Sequence, residues 1–184
     1  MIFIIPTNTC FGIWCYINDI ESYKKLYKIK WRDFSKPCAI FLDSLETLKN
    51  ISNLTLEQIN FLEDYQKPWT ILIDKNKIND KFILDCISKL PNSEKYKKIW
   101  FRIAHNQVQK DLIDKNTYFF LTSANKSWWS EKFSTNEIKK EFQNNLKNIK
   151  ILADDNFCIN SKQAFSDIFE FVDNNLEIKY FRKN

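Results

Sequence analysis

Short, wholly apolar runs recur along this chain, and each stops abruptly at a polar or proline-bearing block. Residues 2–5 stop at Pro6, residues 38–42 at Asp43, and residues 118–121 at Thr122-Ser123-Ala124-Asn125. Runs of four or five apolar residues are too short for a buried helix and suit strands inside a sheet. Between them lie segments with helix start signals. Residues 20–29 follow Asn18 and Asp19 as candidate caps and set Ile20, Tyr23, Leu26 and Tyr27 on one face. Asp43-x-x-Glu46, Thr55-x-x-Gln58 and Ser134-x-x-Glu137 each resemble a capping box, so a helix is expected after each, the last running through Leu146. Short helices are also expected at 82–87 and 107–113. Further strands are expected at 69–73, 99–103, 151–152, 168–172 and 178–181, the last two joined by a hairpin turn at Asp173-Asn174-Asn175. Strands alternating with helices, then a strand-rich tail, predict an α/β domain with a mixed sheet.

A length of 184 residues suffices for one domain, 1–184, with its own core. No apolar run approaches a bilayer span, which argues against a membrane helix. The apolar start lacks a basic leader and runs straight into Pro6, so no signal peptide is read and a cytoplasmic location is expected. The five cysteines, at 10, 15, 38, 86 and 158, form no C-x-x-C pair. With His105 as the single histidine, no metal site is expected and the thiols read as buried and reduced. A net charge of +5 permits nucleotide or RNA binding without demanding either.

Two blocks at strand ends carry the chemistry. Thr7 and Thr9 sit where an inner strand stops, the place at which open α/β sheets bind ligands. The same hydroxyls would equally serve to satisfy the backbone of a turn. Lys30, Arg32 and Lys36 follow a helix whose Lys24 and Lys25 read as solvated surface. Pro37 leads at once into a strand, so Lys36 is held at a strand mouth near Thr7; a planar Arg fork beside Lys point charges suits a triphosphate. Arg102 interrupts an apolar strand, so its guanidinium either reaches a cleft or finds a buried partner. His105 carries no catalytic role, and the aromatic residues read mostly as core.

Taken in order, these blocks resemble the YrdC/TsaC family of threonylcarbamoyl-AMP synthases. The family pattern is P-T-[DE]-T-x-[YF]-G-L, then K-x-R-x-x-x-K-P, then an apolar strand ending R-x-P, then [TS]-S-A-N-x-S-G; residues 6–13, 30–37, 99–104 and 122–128 fit it. The resemblance implies a YrdC-like domain of the short form: a twisted mixed β-sheet with flanking helices and a concave basic pocket. It also implies a nucleotidyltransferase that makes threonylcarbamoyl-adenylate and pyrophosphate from L-threonine, bicarbonate and ATP with Mg2+. The product would serve N6-threonylcarbamoyl adenosine formation at tRNA position 37. Thr7, Arg102, Thr122 and Ser166 would hold threonine. Lys30, Arg32, Ser123, Asn125 and Arg182 would contact ATP, with Lys36 adding positive potential and Ser134 a weaker candidate. No covalent nucleophile is implied, and a downstream threonylcarbamoyltransferase complex would receive the product. The departures are Asn8 for an acid, Ala104 for Pro, and Asp167, a negative charge near the proposed phosphate site. They keep two alternatives open, a noncatalytic module binding double-stranded RNA and a catalytically impaired paralogue. The chain also starts directly at its first strand, without the helix and strand that often precede it.

Average usage predicts roughly 13 glycines in a chain of this length. The chain has one, Gly12, against six tryptophans. Trp14, Trp31 and Trp128 fall where the family pattern has glycine, whereas Trp69, Trp100 and Trp129 fit less clearly. One explanation is UGA codons that the source organism reads as glycine; the other is a lineage that tolerates Trp in these loops.

Overall fold

The computed structural model describes residues 1–104, 109–110, 118–155, 158–159 and 165–183. The chain runs β1 (Ile2–Pro6), β2 (Phe11–Tyr16), α1 (Ile20–Lys30), β3 (Ala39–Leu42), α2 (Leu45–Ile51), α3 (Leu56–Asp64) and β4 (Trp69–Asp74). A short helix follows, α4 (Asp80–Phe82), which widens into a π turn over Ile83–Ile87. Then come β5 (Lys98–Ile103), β6 (Phe119–Ser123), α5 (Thr135–Glu141), β7 (Ile149–Ile151), β8 (Asp167–Phe171) and β9 (Ile178–Arg182). The nine strands form one sheet in the order β7-β1-β2-β6-β3-β5-β4-β8-β9. It is mixed, as expected: β1/β7, β3/β5 and β4/β8 are parallel and the other pairs antiparallel.

Side-chain alternation divides this sheet into two different faces. One carries Ile4, Ile13, Ile40, Phe101, Phe120 and Phe169 into the main core. Helix α1 covers it through Tyr23, whose ring lies 4.6 Å from that of Phe120, and α3 through Phe61, 6.4 Å from Phe169. On the other face, Ile5, Trp14, Phe41, Phe119 and Leu121 form a smaller apolar cluster. The register aligns Trp14 with Leu121, Leu121 with Ala39, Phe41 with Arg102, and Leu72 with Trp100. Arg102 therefore does not break a buried row. Lys98, Trp100 and Arg102 alternate with the buried Ile99, Phe101 and Ile103, and stand on the second face beyond the apolar cluster.

Local signals place most elements. Thr55 and Gln58 form a complete capping box, as do Ser134 and Glu137. The third box is corrected: Ser44, not Asp43, caps α2 and accepts from the Thr47 N–H, while the Asp43 carboxylate accepts from the Thr47 hydroxyl at 2.6 Å. Serine and aspartate are near-equal caps, and the side chain one residue closer to the turn takes the position. The helix expected through Leu146 is α-helical only to Glu141 and continues as a 3-10 helix over Gln143–Asn148. Strand β2 was not foreseen. Its partner β1 reverses into it through a four-residue turn that Thr7 closes: Thr7 N–H donates to the Cys10 carbonyl at 3.0 Å, and the Thr7 hydroxyl to the same oxygen at 2.7 Å. The helix expected over 107–113 falls outside the described residues apart from 109–110, and His105 lies outside them altogether. Among the described residues, no helix is long and apolar enough to cross a membrane.

Candidate functional site

A cavity of about 190 Å³ opens on the second face, where the apolar cluster ends. Its floor is built from the strands themselves. Gly12 on β2, Leu121 on β6, Ala39 on β3, Arg102 on β5 and Thr70 on β4 line it, with Ser166 and Arg182 closing the far side. Small residues at 12 and 39 make the depth. A Cβ on Gly12 would stand 2.7 Å from both Leu121 Cδ1 and Trp14 Nε1, so this one glycine is needed for close packing.

Among the described residues, three guanidiniums, those of Arg32, Arg102 and Arg182, line the cavity against one carboxylate, Glu131. Arg102 donates to Asn8 Oδ1 at 2.7 Å and to Thr9 Oγ1 at 3.2 Å. Burial pushes its pKa down to about 10, with Arg182 adding repulsion, and it stays cationic at neutral pH. Asn8 thus supplies Arg102 with an uncharged acceptor oxygen. Arg182 is held by Ser166: Nε donates to the Ser166 carbonyl at 2.9 Å and Nη2 to its hydroxyl at 3.1 Å. The Ser166 hydroxyl also meets Thr70 Oγ1 at 3.3 Å. Arg32 is fixed by the carbonyls of Lys36 and Pro37 at 3.0 and 2.9 Å. Each fork is oriented by acceptors, which pre-organises a cationic wall for an anion.

Of the residues expected at the site, Thr7, Arg32, Arg102, Thr122, Ser123, Ser166 and Arg182 all line this cavity. Thr7 lines the cavity while its hydroxyl closes the turn, donating to the Cys10 carbonyl. The other four do not line it. Lys30 is buried, and its ammonium donates to the carbonyls of Ser123 and, at 2.5 Å, Asn125. It ties the end of α1 to the end of β6 from beneath. Burial, then repulsion from Arg32, pushes its pKa down to about 8. Asn125 is buried too and donates to the Lys126 and Trp129 carbonyls at 3.2 and 2.5 Å, shaping the loop. Lys36 stands outside, its Nζ 4.3 Å from the Trp128 ring centre. The Ser134 hydroxyl is engaged by Glu137 as a helix cap.

Asp167 is likewise off the cavity wall. It is buried and accepts from the Tyr65 hydroxyl at 2.6 Å, while its charge still acts on Arg182. Ala104, in place of proline, uses its N–H to donate to the Leu42 carbonyl at 2.9 Å, a bond proline lacks. Thr70, Glu131 and Phe165 line the cavity and were not foreseen. Thr70 had a signal, as the polar residue inside the apolar run 69–73. Glu131 and Phe165 sit in loops whose course local sequence does not specify; the Phe165 ring centre lies 5.1 Å from the Arg182 guanidinium.

A family model named Sua5/YciO/YrdC, with the description telomere recombination, matches residues 1–182. No curated protein sequence matches the chain. Among solved structures, Sua5 of P. abyssi complexed with L-threonine superposes with a TM-score of 0.75 at 16% identity, covering 98% of this chain and 49% of that one. HypF in a phosphate- and nucleotide-bound form gives 0.71 at 18% identity, covering 98% and 26%. YciO of E. coli gives 0.72 at 13% identity, covering 99% and 82%. The chain thus spans about half the length of that Sua5 and about a quarter of that HypF.

Proposed function

Because this chain belongs to the Sua5/YciO/YrdC family, we propose that it is an L-threonylcarbamoyladenylate synthase, making threonylcarbamoyl-AMP and pyrophosphate from L-threonine, bicarbonate and ATP. The observation that carries the reading is the convergence of Arg32, Arg102 and Arg182 with the hydroxyl residues Thr7, Thr122, Ser123 and Ser166 on one cavity at the strand ends. A threonine complex of Sua5 and a phosphate- and nucleotide-bound HypF, both on this fold, support the two ligand classes.

The chemistry asks for positioning. Threonine's amine and bicarbonate form a carbamate with loss of water, and a carbamate oxygen attacks the α-phosphorus of ATP as pyrophosphate leaves. Arg102, oriented by Asn8 and Thr9, would take the threonine carboxylate, with Thr7, Thr122 and Ser166 around the amino acid. Arg32, Ser123 and Arg182 would face the phosphates, where fixed cations stabilise charge that shifts toward the leaving group. Lys30 and Asn125 would act through the loop they hold, and Lys36 through its field. The donor set fits a magnesium ion carried on the nucleotide. Among the described residues Glu131 is the one carboxylate on the cavity wall, and Mg2+ binds ATP through phosphate oxygens while keeping several waters. Bound there, it would neutralise the leaving pyrophosphate. The product would be passed to a threonylcarbamoyltransferase acting on tRNA in the cytoplasm.

The test is pyrophosphate release from ATP that depends on both threonine and bicarbonate. Release without threonine dependence would overturn this reading, and no release with salt-sensitive binding of double-stranded RNA retained would replace it by the noncatalytic module.

A further inference from the structure

Four described residues other than glycine have positive φ: Trp31 at 54°, Asn92 at 61°, Trp128 at 74° and Asp173 at 58°. Asparagine and aspartate are the side chains that tolerate this region, whereas a bulky residue there is a genuine outlier. Both tryptophans occupy backbone motifs built around glycine. At the end of α1, the Trp31 N–H donates to the Lys28 carbonyl at 3.2 Å and the Arg32 N–H to the Tyr27 carbonyl at 2.9 Å. That pair of bonds is a Schellman motif, with Trp31 at its left-handed position. After β6, the Trp129 N–H donates to the Lys126 carbonyl at 3.1 Å, closing a turn whose third residue is Trp128. A positive φ at that place is the mark of a type II turn, where glycine is the standard occupant.

Burial does not compensate either side chain. Trp31 is 64% exposed and Trp128 90%. Trp14 differs: it is buried, its ring packs at 4.5 Å on Phe41 and 5.6 Å on Phe119, and its φ is not positive. Packing accounts for the ring at 14; the rings at 31 and 128 have only surface contacts, including an edge contact of Trp31 with Trp129 at 6.4 Å, and these leave both exposed.

We infer that positions 31 and 128 are glycine in the protein as its own cells make it, through UGA codons decoded as glycine. The inference concerns the site directly. Position 31 lies between Lys30 and Arg32, and position 128 closes the loop that follows Ser123. The Trp128 ring holds Lys36 at 4.3 Å and the Trp31 ring holds Lys126 at 4.5 Å. Without those rings the two ammonium groups are released beside the cationic wall, where an anion would recruit them.

Peptide sequencing by mass spectrometry of the protein purified from its source cells decides the matter without reference to activity. Peptides with glycine at both positions are the expected result, and tryptophan at either overturns the inference. The backbone argument has its own check in the recombinant chain bearing tryptophan. The double variant Trp31→Gly/Trp128→Gly should raise the thermal midpoint by a few degrees. A fall would mean that the rings stabilise these turns, and would overturn the backbone argument.

Discussion

At the scale of single residues, burial separates side chains that hold the site from side chains that face its ligand. Arg102 lies on the cavity wall with its fork aimed by two oxygen acceptors. Charge-assisted bonds are worth about 1.5–3 kcal/mol each, so Arg102→Ala should lower threonine-dependent pyrophosphate release by roughly 10- to 100-fold without loss of the folded state, checked by steady-state assay and circular dichroism. Lys30 should behave in the opposite way. Removing its ammonium leaves the buried carbonyls of Ser123 and Asn125 without a donor. Lys30→Met should therefore cost about 2–3 kcal/mol of stability in denaturant titrations. Its pH dependence has a definite sign. The folded value of about 8 lies below the ordinary 10.5, so between these pH values the unfolded chain binds more protons at this site. Stability from this site therefore rises with pH across that window, and wild type should gain on Lys30→Met as pH increases from 8 toward 10.5. Comparing the two proteins cancels the buried Tyr groups that both share.

At the scale of elements, the helices report their own start signals and the strands report only their existence. Thr55-x-x-Gln58 and Ser134-x-x-Glu137 were legible because a capping box is satisfied within four residues of chain. Ser134 shows the cost of reading such a residue for function. Its hydroxyl accepts the Glu137 N–H at 3.2 Å, so Ser134→Ala should destabilise the fold by about 1 kcal/mol while leaving the KM for ATP unchanged. A raised KM with unaltered stability would return it to the ATP site. Strand β2 escaped notice because its hairpin uses neither Asn-Gly nor Asp-Gly; Thr7 and its hydroxyl do that work. Thr122-Ser123-Ala124-Asn125 reads as one motif yet divides between roles. Thr122 and Ser123 face the cavity, Ala124 is fully buried, and Asn125 turns inward to fix the loop.

At the scale of the whole molecule, the sheet brings residues far apart in the chain onto one patch of one face. Arg32 and Arg182 are 150 positions apart in the chain (182 − 32) and line the same cavity. Ligands that bind this folded arrangement alone should stabilise it. Either ligand, ATP or threonine, at about 100 times its dissociation constant should add about 2.7 kcal/mol. A thermal shift with both ligands and none with RNA would favour the synthase; the reverse would favour the RNA module.

The sequence by itself determined the α/β class, most helix caps, most strand positions and the ordered blocks that carry the family resemblance. These depend on periodicity and on contacts within a few residues, which the local chain encodes. It also marked Trp31 and Trp128 as out of place. Only the tertiary structure decided which of the marked residues meet a ligand. Lys30 and Arg32 are two positions apart, yet α1 ends between them, sending one ammonium under the loop and leaving one guanidinium on the wall. Asp167, one residue from Ser166, faces Tyr65 instead of the cavity because successive residues at the start of a strand point to opposite faces. Which face is buried is settled by the partners across the sheet, and no local stretch of sequence contains them.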